Sequence, residues 1–291
     1  MGMEVDNDSS ILIDSMKKRG IKAQTVCWDD PSVDWTEPDL CIVKSTSNYI
    51  LNPQAFVNWA KKVEKTTSLW NTSKHIEWNS NKWYLRDLKE KNTPIPQSIF
   101  VSKKSHESPK EILANSPWED IVIKPTIACG SFGLKRFKTE STEAEQYLGE
   151  LLSEGYVQDF LGDTYNMGSC DAIIQQFIPE IANGEVSMFY FGGEHSHSVI
   201  KKAPRGDFRS HPLWGASVEP ITPPKDMRSV CEQMLSVIEA TEYARIDLVD
   251  TVDGPLLIEL ELIEPFMFFD MFPDKAEVFV DHIEKYLRNN Q

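Results

Sequence analysis

The stretch LLIELELI, residues 256–263, alternates glutamate with large aliphatic side chains and is the most informative pattern in the chain. Successive side chains of a β-strand point to opposite faces, so Glu259 and Glu261 share one face and the other face is apolar. Asp247 alternates in the same way before a turn signal at Asp253-Gly254. We therefore predict a hairpin of Tyr243–Asp250 and Leu256–Ile263. With an odd-numbered connection, Asp247 lies opposite Glu259 or Glu261 on the same face.

These three carboxylates predict a metal site. Like charges held close together across a hairpin repel and destabilise it unless a cation lies between them. Mg²⁺ bound by carboxylates and by substrate phosphates is the natural occupant. The alternative is a solvated outer face with Arg245 as counter-ion, because this chain is acidic throughout.

A second pattern predicts a phosphate site. The apolar run Ile121–Ile123 ends in Lys124-Pro125, and a loop of small residues, Ala128–Gly133, follows. Small residues let backbone N–H groups approach an anion, and the lysine ammonium adds a point charge. The alternative is an ordinary turn with a solvated lysine. The candidate phosphate-binding residues are Lys124, Gly130, Ser131 and Gly133.

A third segment is a candidate for adenine binding. Gln175-Gln176-Phe177-Ile178 ends a predicted strand before Pro179, and Glu185 follows a turn. An exposed backbone edge beside Phe177 and Ile178 can hydrogen-bond an adenine, with Glu185 near the ribose hydroxyls. The same pattern is also typical of a strand that leaves the core through a proline-terminated loop.

A basic cluster provides candidate catalytic residues. Lys202, Arg205 and Arg209 stand out in an acidic chain, and guanidinium groups stabilise developing phosphoryl or oxyanion charge. A basic surface loop is the alternative for each of them.

The remaining patterns predict alternating helices and strands. We expect helices at 10–17, 54–64, 82–89, 143–152 and 228–240, and strands at 23–28, 40–44, 97–101 and 121–124. A strand at 172–177 should begin a meander with strands at 186–191 and 196–202, and the strand that usually opens such αβ units is short or missing before 10.

Composition narrows the function classes. The 291 residues include 45 acidic and 30 basic residues, a net charge of −15, which argues against a nucleic-acid partner. No apolar run reaches the length of about 18 to 20 residues that crosses a bilayer, so we expect no membrane association and a cytoplasmic protein. Five scattered cysteines fit neither a disulfide framework nor a zinc site.

Taken in order, these motifs resemble the ATP-grasp superfamily. Asn81-Lys82, Ile123-Lys124-Pro125, the small-residue loop, Gln176–Glu180, Arg209, Arg245–Asp247 and Glu259–Glu261 carry the resemblance, which spans nearly the whole chain and is closest to the glutathione synthetase-like, RimK-like branch. Within that branch the chain is similar to the group that contains the O-ureido-serine cyclo-ligase of cycloserine biosynthesis. Val26–Asp30, Lys44–Thr46, Leu69–Asn71, Gly206–Arg209 and Ile258–Pro265 carry this narrower likeness.

The resemblance implies an α/β (α+β) ATP-grasp fold and its domains. A Rossmann-like preATP-grasp unit would occupy 1–72 and an ATP-grasp domain 73–291, with a central lid at about 96–172 and a C-terminal lobe at about 173–291. It further implies that Lys82 and Lys124 contact ATP phosphates, Gln176–Ile178 the adenine and Glu185 the ribose. Asp247, Glu259 and Glu261 would then hold Mg²⁺.

The implied activity is an ATP- and Mg²⁺-dependent, ADP-forming ligase that joins a small-molecule carboxylate to an amine or a thiol through an acyl-phosphate. Relatives commonly have Arg-Ser-Thr-Trp-Asp-Tyr where this chain has Lys44-Ser45-Thr46-Ser47-Asn48-Tyr49, so the cyclo-ligase substrate is not carried over. A small-molecule kinase on the same fold and a nucleotide-binding interaction protein without turnover are the alternatives, and a homodimer stays open.

Overall fold

The computed structural model describes residues 6–158 and 162–289. Its elements form an N-terminal αβ unit, a central four-stranded sheet and a C-terminal five-stranded sheet. Within the described residues, no helix is both long and apolar enough to cross a bilayer.

The N-terminal unit is built on a small parallel sheet. Strands β1 (Leu40–Ile42) and β2 (Ser68–Trp70) pair in parallel, and helices α1 (Asn7–Lys18) and α2 (Pro53–Val63) flank them. Helix α2 begins where the Asn52 side chain accepts a hydrogen bond from Ala55 N at 3.2 Å. Two short helices follow, α3 (Ser73–Asn79), which the sequence patterns did not predict, and α4 (Tyr84–Glu90), which overlaps the predicted 82–89 helix.

The strand predicted at 23–28 is wrong. These residues form no strand, and the side chains of Ala23–Cys27 are exposed. Among the described residues, the sheet of β1 and β2 has two strands, so this segment has no neighbour that could accept and donate its backbone hydrogen bonds. An apolar run without a partner strand does not become a strand.

The central sheet has the order β3-β8-β4-β5 and is antiparallel throughout. Its core packs against α5 and α6, mainly through Ile121, Ile123, Leu148 and Ile174. The elements of this region are β3 (Ser98–Val101), α5 (Pro109–Ala114), β4 (Asp120–Pro125), β5 (Lys135–Lys138), α6 (Thr142–Ser153), β6 (Tyr156–Gln158), β7 (Thr164–Asn166) and β8 (Ala172–Gln176).

The position of β8 corrects two expectations. This strand pairs with β3 and β4, so it does not start a meander with the strands that follow it. It also lies past the lid boundary that we placed at 172. Hydrogen bonding between strands distant in sequence overrides the apparent continuity of the local pattern. In our division of the chain into domains, which stays a proposal, the lid therefore ends at Gln176.

The C-terminal sheet has the order β11-β10-β9-β12-β13, also antiparallel. One face packs on α4 and α7, and the other packs on α1 and α8. The elements are β9 (Glu185–Phe191), β10 (Glu194–Lys202), β11 (Ser217–Pro220), α7 (Lys225–Ser236), β12 (Tyr243–Val249), β13 (Leu256–Glu261) and α8 (Pro273–Asn289). The predicted hairpin is present as β12 and β13, with Asp247 directly opposite Glu259.

Candidate active site

A cleft lies between the central sheet and the C-terminal sheet. Its lining comes from β4, the loop after β4, the end of β8, and the inner faces of β9, β10, β12 and β13. The polar lining residues are Lys82, Lys124, Ser131, Gln175, Gln176, Glu185, Lys201, Arg209, Ser210, His211, Arg245, Asp247, Glu259 and Glu261.

The hairpin brings the three predicted carboxylates together. Asp247 faces Glu259 across the ladder, and a β-bulge follows Asp247. One oxygen from each of Asp247, Glu259 and Glu261 lies within 4.8 Å of the others. Three hard oxygen donors in this arrangement match the ligands that Mg²⁺ prefers.

Contrary to our expectation, neither solvent nor mutual repulsion dominates this acidic group, because the protein supplies its own cations. Arg245 Nη2 lies 3.1 Å from Asp247 Oδ2 and also contacts Glu261. Lys201 Nζ lies 3.0 Å from Asp247 Oδ2, and Lys82 Nζ lies 2.9 Å from Glu259 Oε1. Asp247, Arg245, Lys201 and Lys82 are buried and the two glutamates are half-buried, so these pairs are only partly screened by solvent.

The pKa values of Asp247 and Glu261 are shifted in opposite directions. Burial works to raise the pKa of Asp247, but the charges of Arg245 and Lys201 outweigh it and hold the pKa below its usual range. Burial raises the pKa of Glu261 to about 7, and the charges of Glu259 and Asp247 add to this effect while Arg245 opposes it. Glu261 therefore holds its proton most readily of the three.

Lys124 lies at the end of β4 with its side chain in the cleft. It is 7% exposed, and it forms no ion pair or side-chain hydrogen bond with any residue in the described ranges. The pKa of Lys124 is lowered to about 8, mainly by burial. The charge of Glu259 opposes this shift and the charge of Lys82 contributes to it. A buried ammonium without a counter-ion is suited to binding an anion.

Glu185 has a partner within the protein. Glu185 is the first residue of β9, and its carboxylate lies 2.6 Å from Lys201 Nζ in β10. Burial raises its pKa, and the Lys201 charge opposes that shift. Lys201 thus joins Glu185 to Asp247 across the floor of the cleft, a bridge that the sequence patterns did not predict.

The small-residue loop after β4 is only partly in the cleft. Gly130 and Ser131 line it, both with left-handed backbone angles, φ of 56° and 60°. Gly133 does not line it, so its predicted phosphate contact is wrong. A Cβ at Gly133 would lie 2.8 Å from Val157 Cγ1, which shows that this glycine allows close packing of the loop on the lid.

The candidate adenine segment lies at the mouth of the cleft. Gln175, Gln176, Phe177 and Ile178 all line it. The Phe177 ring is covered by Arg136, whose guanidinium carbon is 3.7 Å from the ring centroid, and by the edge of Phe208. Phe177 N donates a hydrogen bond to Asp120 O at 3.0 Å, and the adenine contact at this segment stays a prediction.

Of the three predicted cationic residues, the structure brings one into the cleft. Arg209 lines it, paired with Asp207 and stacked 3.4 Å from the centroid of the Trp214 ring. Lys202 and Arg205 are exposed and do not line the cleft. The reason is strand alternation, since in β10 Lys201 points inward and Lys202 outward. Lys201 takes the place that we gave to Lys202.

Comparison with known proteins agrees with this geometry. Residues 81–264 match the RimK-like ATP-grasp domain. The chain belongs to the RimK-like ATP-grasp family. This membership confirms the predicted fold class and makes the protein an ATP-dependent ligase of the ATP-grasp type.

The N-terminal unit and the whole chain have named relatives. Residues 2–71 match the N-terminal domain of the D-cycloserine synthetase DcsG. The cycloserine biosynthesis protein DcsG of Streptomyces lavendulae is 24% identical over 99% of this chain and 96% of its own length. A probable alpha-L-glutamate ligase of Methanococcoides burtonii is 23% identical over 69% of this chain and 62% of its own length. The crystal structure of DcsG superposes with a TM-score of 0.82 at 22% identity, covering 97% of this chain and 95% of that one.

Proposed function

We propose that this ATP-grasp ligase joins the carboxylate of a small amino acid or peptide to an amine or a thiol through an acyl-phosphate, using Mg²⁺ and releasing ADP and phosphate. The observation that carries the proposal is the pairing of a buried, unpartnered Lys124 with the Asp247, Glu259 and Glu261 group in one cleft. The first suits a nucleotide phosphate and the second suits the metal that accompanies it.

In this proposal the adenine lies against Phe177 and Ile178, and the phosphates extend toward Lys124 and Lys82. Gly130 and Ser131 contribute backbone N–H groups from the small-residue loop. Because Glu185 is paired with Lys201, a ribose contact through Glu185 shares its carboxylate with that ion pair. Asp247, Glu259 and Glu261 would hold Mg²⁺, which when bound neutralises phosphate charge.

The reaction proceeds in two displacements. A carboxylate oxygen of the substrate attacks the γ-phosphorus, and the bond to the β–γ bridging oxygen breaks, so ADP leaves with that electron pair. The amine nitrogen or thiolate then attacks the acyl carbon, the C–O bond to phosphate breaks, and the amine loses a proton. Arg209 and Lys124 stabilise the negative charge that develops in these steps.

The substrate of DcsG is not assigned to this chain, and the residues that replace the relatives' motif support that decision. Lys44 Nζ lies 2.9 Å from Asp6 and 3.3 Å from Asp8, so its charge is already matched within the protein. The Asn48 side chain accepts a hydrogen bond from Trp28 Nε1 at 2.7 Å and donates one to the Asp29 carboxylate. An arginine, tryptophan and aspartate at these positions would present a different charge and shape.

The test is ADP release across a panel of amino acids and dipeptides, with hydroxylamine present to trap the acyl-phosphate as a hydroxamate. A ligase gives ADP with a carboxylate substrate and a hydroxamate of matching mass. A stable phosphorylated product formed without a second substrate favours a small-molecule kinase instead. ATP binding without ADP release on any panel member favours a nucleotide-binding protein.

A variant separates binding from chemistry. Arg209→Ala should reduce kcat more than it raises the KM for ATP, because its charge acts where phosphoryl charge develops. The matched control is Arg205→Ala, an exposed arginine of the same segment outside the cleft. If both variants turn over like the parent, Arg209 belongs to a surface loop and has no part in the reaction.

A further inference from the structure

Among the described residues, Glu264 is a carboxylate near the charged group of the cleft that has no cation of its own. Lys201 pairs with Glu185 and Asp247, Arg245 pairs with Asp247 and Glu261, and Lys82 pairs with Glu259. Within the described ranges, no lysine, arginine or histidine nitrogen comes within 4.0 Å of Glu264, three residues after β13. Glu264 is thus the anionic counterpart of the unpartnered Lys124.

Glu264 is half-buried, and one oxygen of its carboxylate is enclosed. Its Oε2 has no access to solvent and accepts no hydrogen bond from a described residue. Burial raises the pKa of Glu264 well above its usual value, with the Glu261 charge adding to the shift and Lys82 opposing it. An enclosed carboxylate oxygen without a hydrogen bond destabilises the folded protein unless a ligand donates one to it.

Glu264 does not itself line the cleft, and its surroundings place it where the N-terminal unit meets the cleft wall at Cys129. The neighbouring Ile263 packs with Tyr49 and Cys129 in the core that joins the N-terminal unit to the small-residue loop. Glu264 is also the foremost charge acting on both Tyr49 and Cys129. Tyr49 is 3% exposed, and its hydroxyl forms no hydrogen bond with any residue that the structure describes. A hydroxyl that makes no hydrogen bond to a described residue therefore lies in the same region.

We propose that Glu264 binds the ammonium group of the amino-acid substrate, with the Tyr49 hydroxyl as a second acceptor. This inference rests on the proposed ligase function and assigns the substrate class: the substrate carries a protonated amine on the side facing the N-terminal unit. An ammonium carries a single positive charge and three N–H donors. One carboxylate can balance the charge, and the carboxylate and a hydroxyl oxygen can accept hydrogen bonds from the donors.

A second metal ion fits this position less well. The ligand atoms that lie within 4.8 Å of one another belong to Asp247, Glu259 and Glu261, and Glu264 is not in that group among the described residues. Mg²⁺ gives up its water reluctantly and demands six oxygens in octahedral geometry. Next to Glu264 in the chain, Ile263 packs in an apolar core with Cys129 and Tyr49, the two groups on which the Glu264 charge acts. The single charge of an ammonium matches this apolar core better.

Lys44 does not serve as the missing counter-ion. It is the cation of the N-terminal segment nearest in sequence to Tyr49, and its Nζ is already paired with Asp6 and Asp8. Lys44 therefore leaves Glu264 without a counter-ion.

The test compares the parent with Glu264→Gln, and with Glu219→Gln as the control, since Glu219 is exposed on β11. Each amino acid that supports ADP release is paired with its deamino analogue, the same carboxylate without the amine. We expect Glu264→Gln to raise the KM for the amino acid roughly tenfold to a hundredfold, the range for losing a charge-assisted hydrogen bond. The KM values for ATP, for Mg²⁺ and for the deamino analogue should match the parent.

Two outcomes overturn the assignment. One is an unchanged ratio of KM values for amino acid and deamino analogue in Glu264→Gln. The other is a raised Mg²⁺ requirement in that variant, which makes Glu264 a metal ligand. Thermal melts without ligand guard against misfolding, and removal of an unpaired buried charge should leave the melting temperature equal or higher.

A second measurement keeps the inference testable if no panel member supports ADP release, an outcome that rejects the proposed function alone. The parent and Glu264→Gln are melted in ethylammonium chloride and in sodium chloride at equal ionic strength. Ethylammonium should raise the melting temperature of the parent and have no specific effect on the variant. Equal responses of the two proteins reject the ammonium site.

Discussion

At the scale of single residues, Lys124 and Glu259 behave differently although both lie in the same cleft. Glu259 is matched by Lys82, whereas Lys124 is buried with no counter-ion within the described ranges. An unpaired buried charge lowers the stability of the free protein. A ligand of opposite charge that binds to it raises the stability again. The substitutions at these two positions therefore have opposite effects on the free protein.

Lys124→Met should weaken ATP binding while leaving the free protein as stable as the parent or more so. The pKa of Lys124 is lowered to about 8 from 10.5, so the cost of its charge is fully present below pH 8 and vanishes above 10.5. Methionine removes that cost at neutral pH. Melts with and without Mg²⁺–ATP check both parts. An ATP-dependent gain in melting temperature equal to that of the parent contradicts the phosphate role.

ATP affinity should depend on pH through the same lysine. A bound phosphate favours the ammonium form and raises the Lys124 pKa above its value of about 8 in the free protein. Binding is therefore strongest below about pH 8 and weakens as the pH rises past it. Titration calorimetry between about pH 7.5 and 9.5, above the Glu261 pKa of about 7, measures this, and Lys124→Met should show a flatter profile over the same range.

Glu259→Gln should lower the stability of the free protein by about 1–3 kcal/mol, because the buried Lys82 loses its counter-ion. The alternation pattern alone suggested relief of repulsion, but the cations found in the cleft reverse that expectation. Mg²⁺-dependent turnover should fall as well, since a hard oxygen ligand is lost. Melts and ADP release are compared with Glu140→Gln, an exposed control. A melting temperature at or above that of the parent shows that Lys82 does not need this partner.

At the scale of elements, the segment between β10 and β11 connects the cleft to the lid. The Trp214 ring stacks on Arg209, and its Nε1 donates a hydrogen bond to Gly130 O at 2.9 Å. Trp214 also packs in the same core as Cys129 and Phe132 of the loop after β4. One side chain therefore ties the position of Arg209 to that of the small-residue loop.

Trp214→Phe should keep a ring under Arg209 and lose the bond to Gly130. We expect kcat to fall roughly threefold to tenfold, the range for one hydrogen bond, with a smaller change in the KM for ATP. Trp59→Phe is the control, because the buried Nε1 of Trp59 has no hydrogen-bond partner in the described part of the chain. Steady-state ADP release separates the two variants, and equal kinetics in both exclude a link through Trp214.

At the scale of the whole molecule, the first and last parts of the chain are joined by a buried aspartate. Asp8, in the first turn of α1, accepts hydrogen bonds from Met267 N at 2.6 Å and Phe269 N at 2.8 Å. Lys44 Nζ lies 3.3 Å away. The N-terminal unit is thereby fixed against the segment that follows β13, which also carries Glu264.

Asp8→Ala should destabilise the protein by about 2–4 kcal/mol, because two buried backbone N–H groups and Lys44 lose their acceptor. The expected drop in melting temperature is roughly 5–10 °C for a chain of this size. Asp14→Ala, an exposed position on the same helix, should melt like the parent. A parent-like melt of Asp8→Ala means that the packing of α1 on α8 alone holds the two ends together.

The alternation of side chains along a strand is a local property, so the sequence alone determined which residues share a face of the hairpin. The period of two put Glu259 and Glu261 on one face and gave the hairpin its register with Asp247. The order of the motifs likewise predicted the ATP-grasp fold, which the family match confirms. Alternation also contained a signal that we missed, because it favours Lys201 over Lys202 once Val199 is taken as a core residue.

Only the tertiary structure decided which charges are matched and which are not. Lys201 reaches an aspartate 46 residues away, and β8 joins a sheet whose other strands lie before it in the chain. Such contacts depend on how separate elements pack, and no local period encodes them. The same packing buries Lys124 and one oxygen of Glu264, and within residues 6–158 and 162–289 no oppositely charged side chain of another element pairs with either.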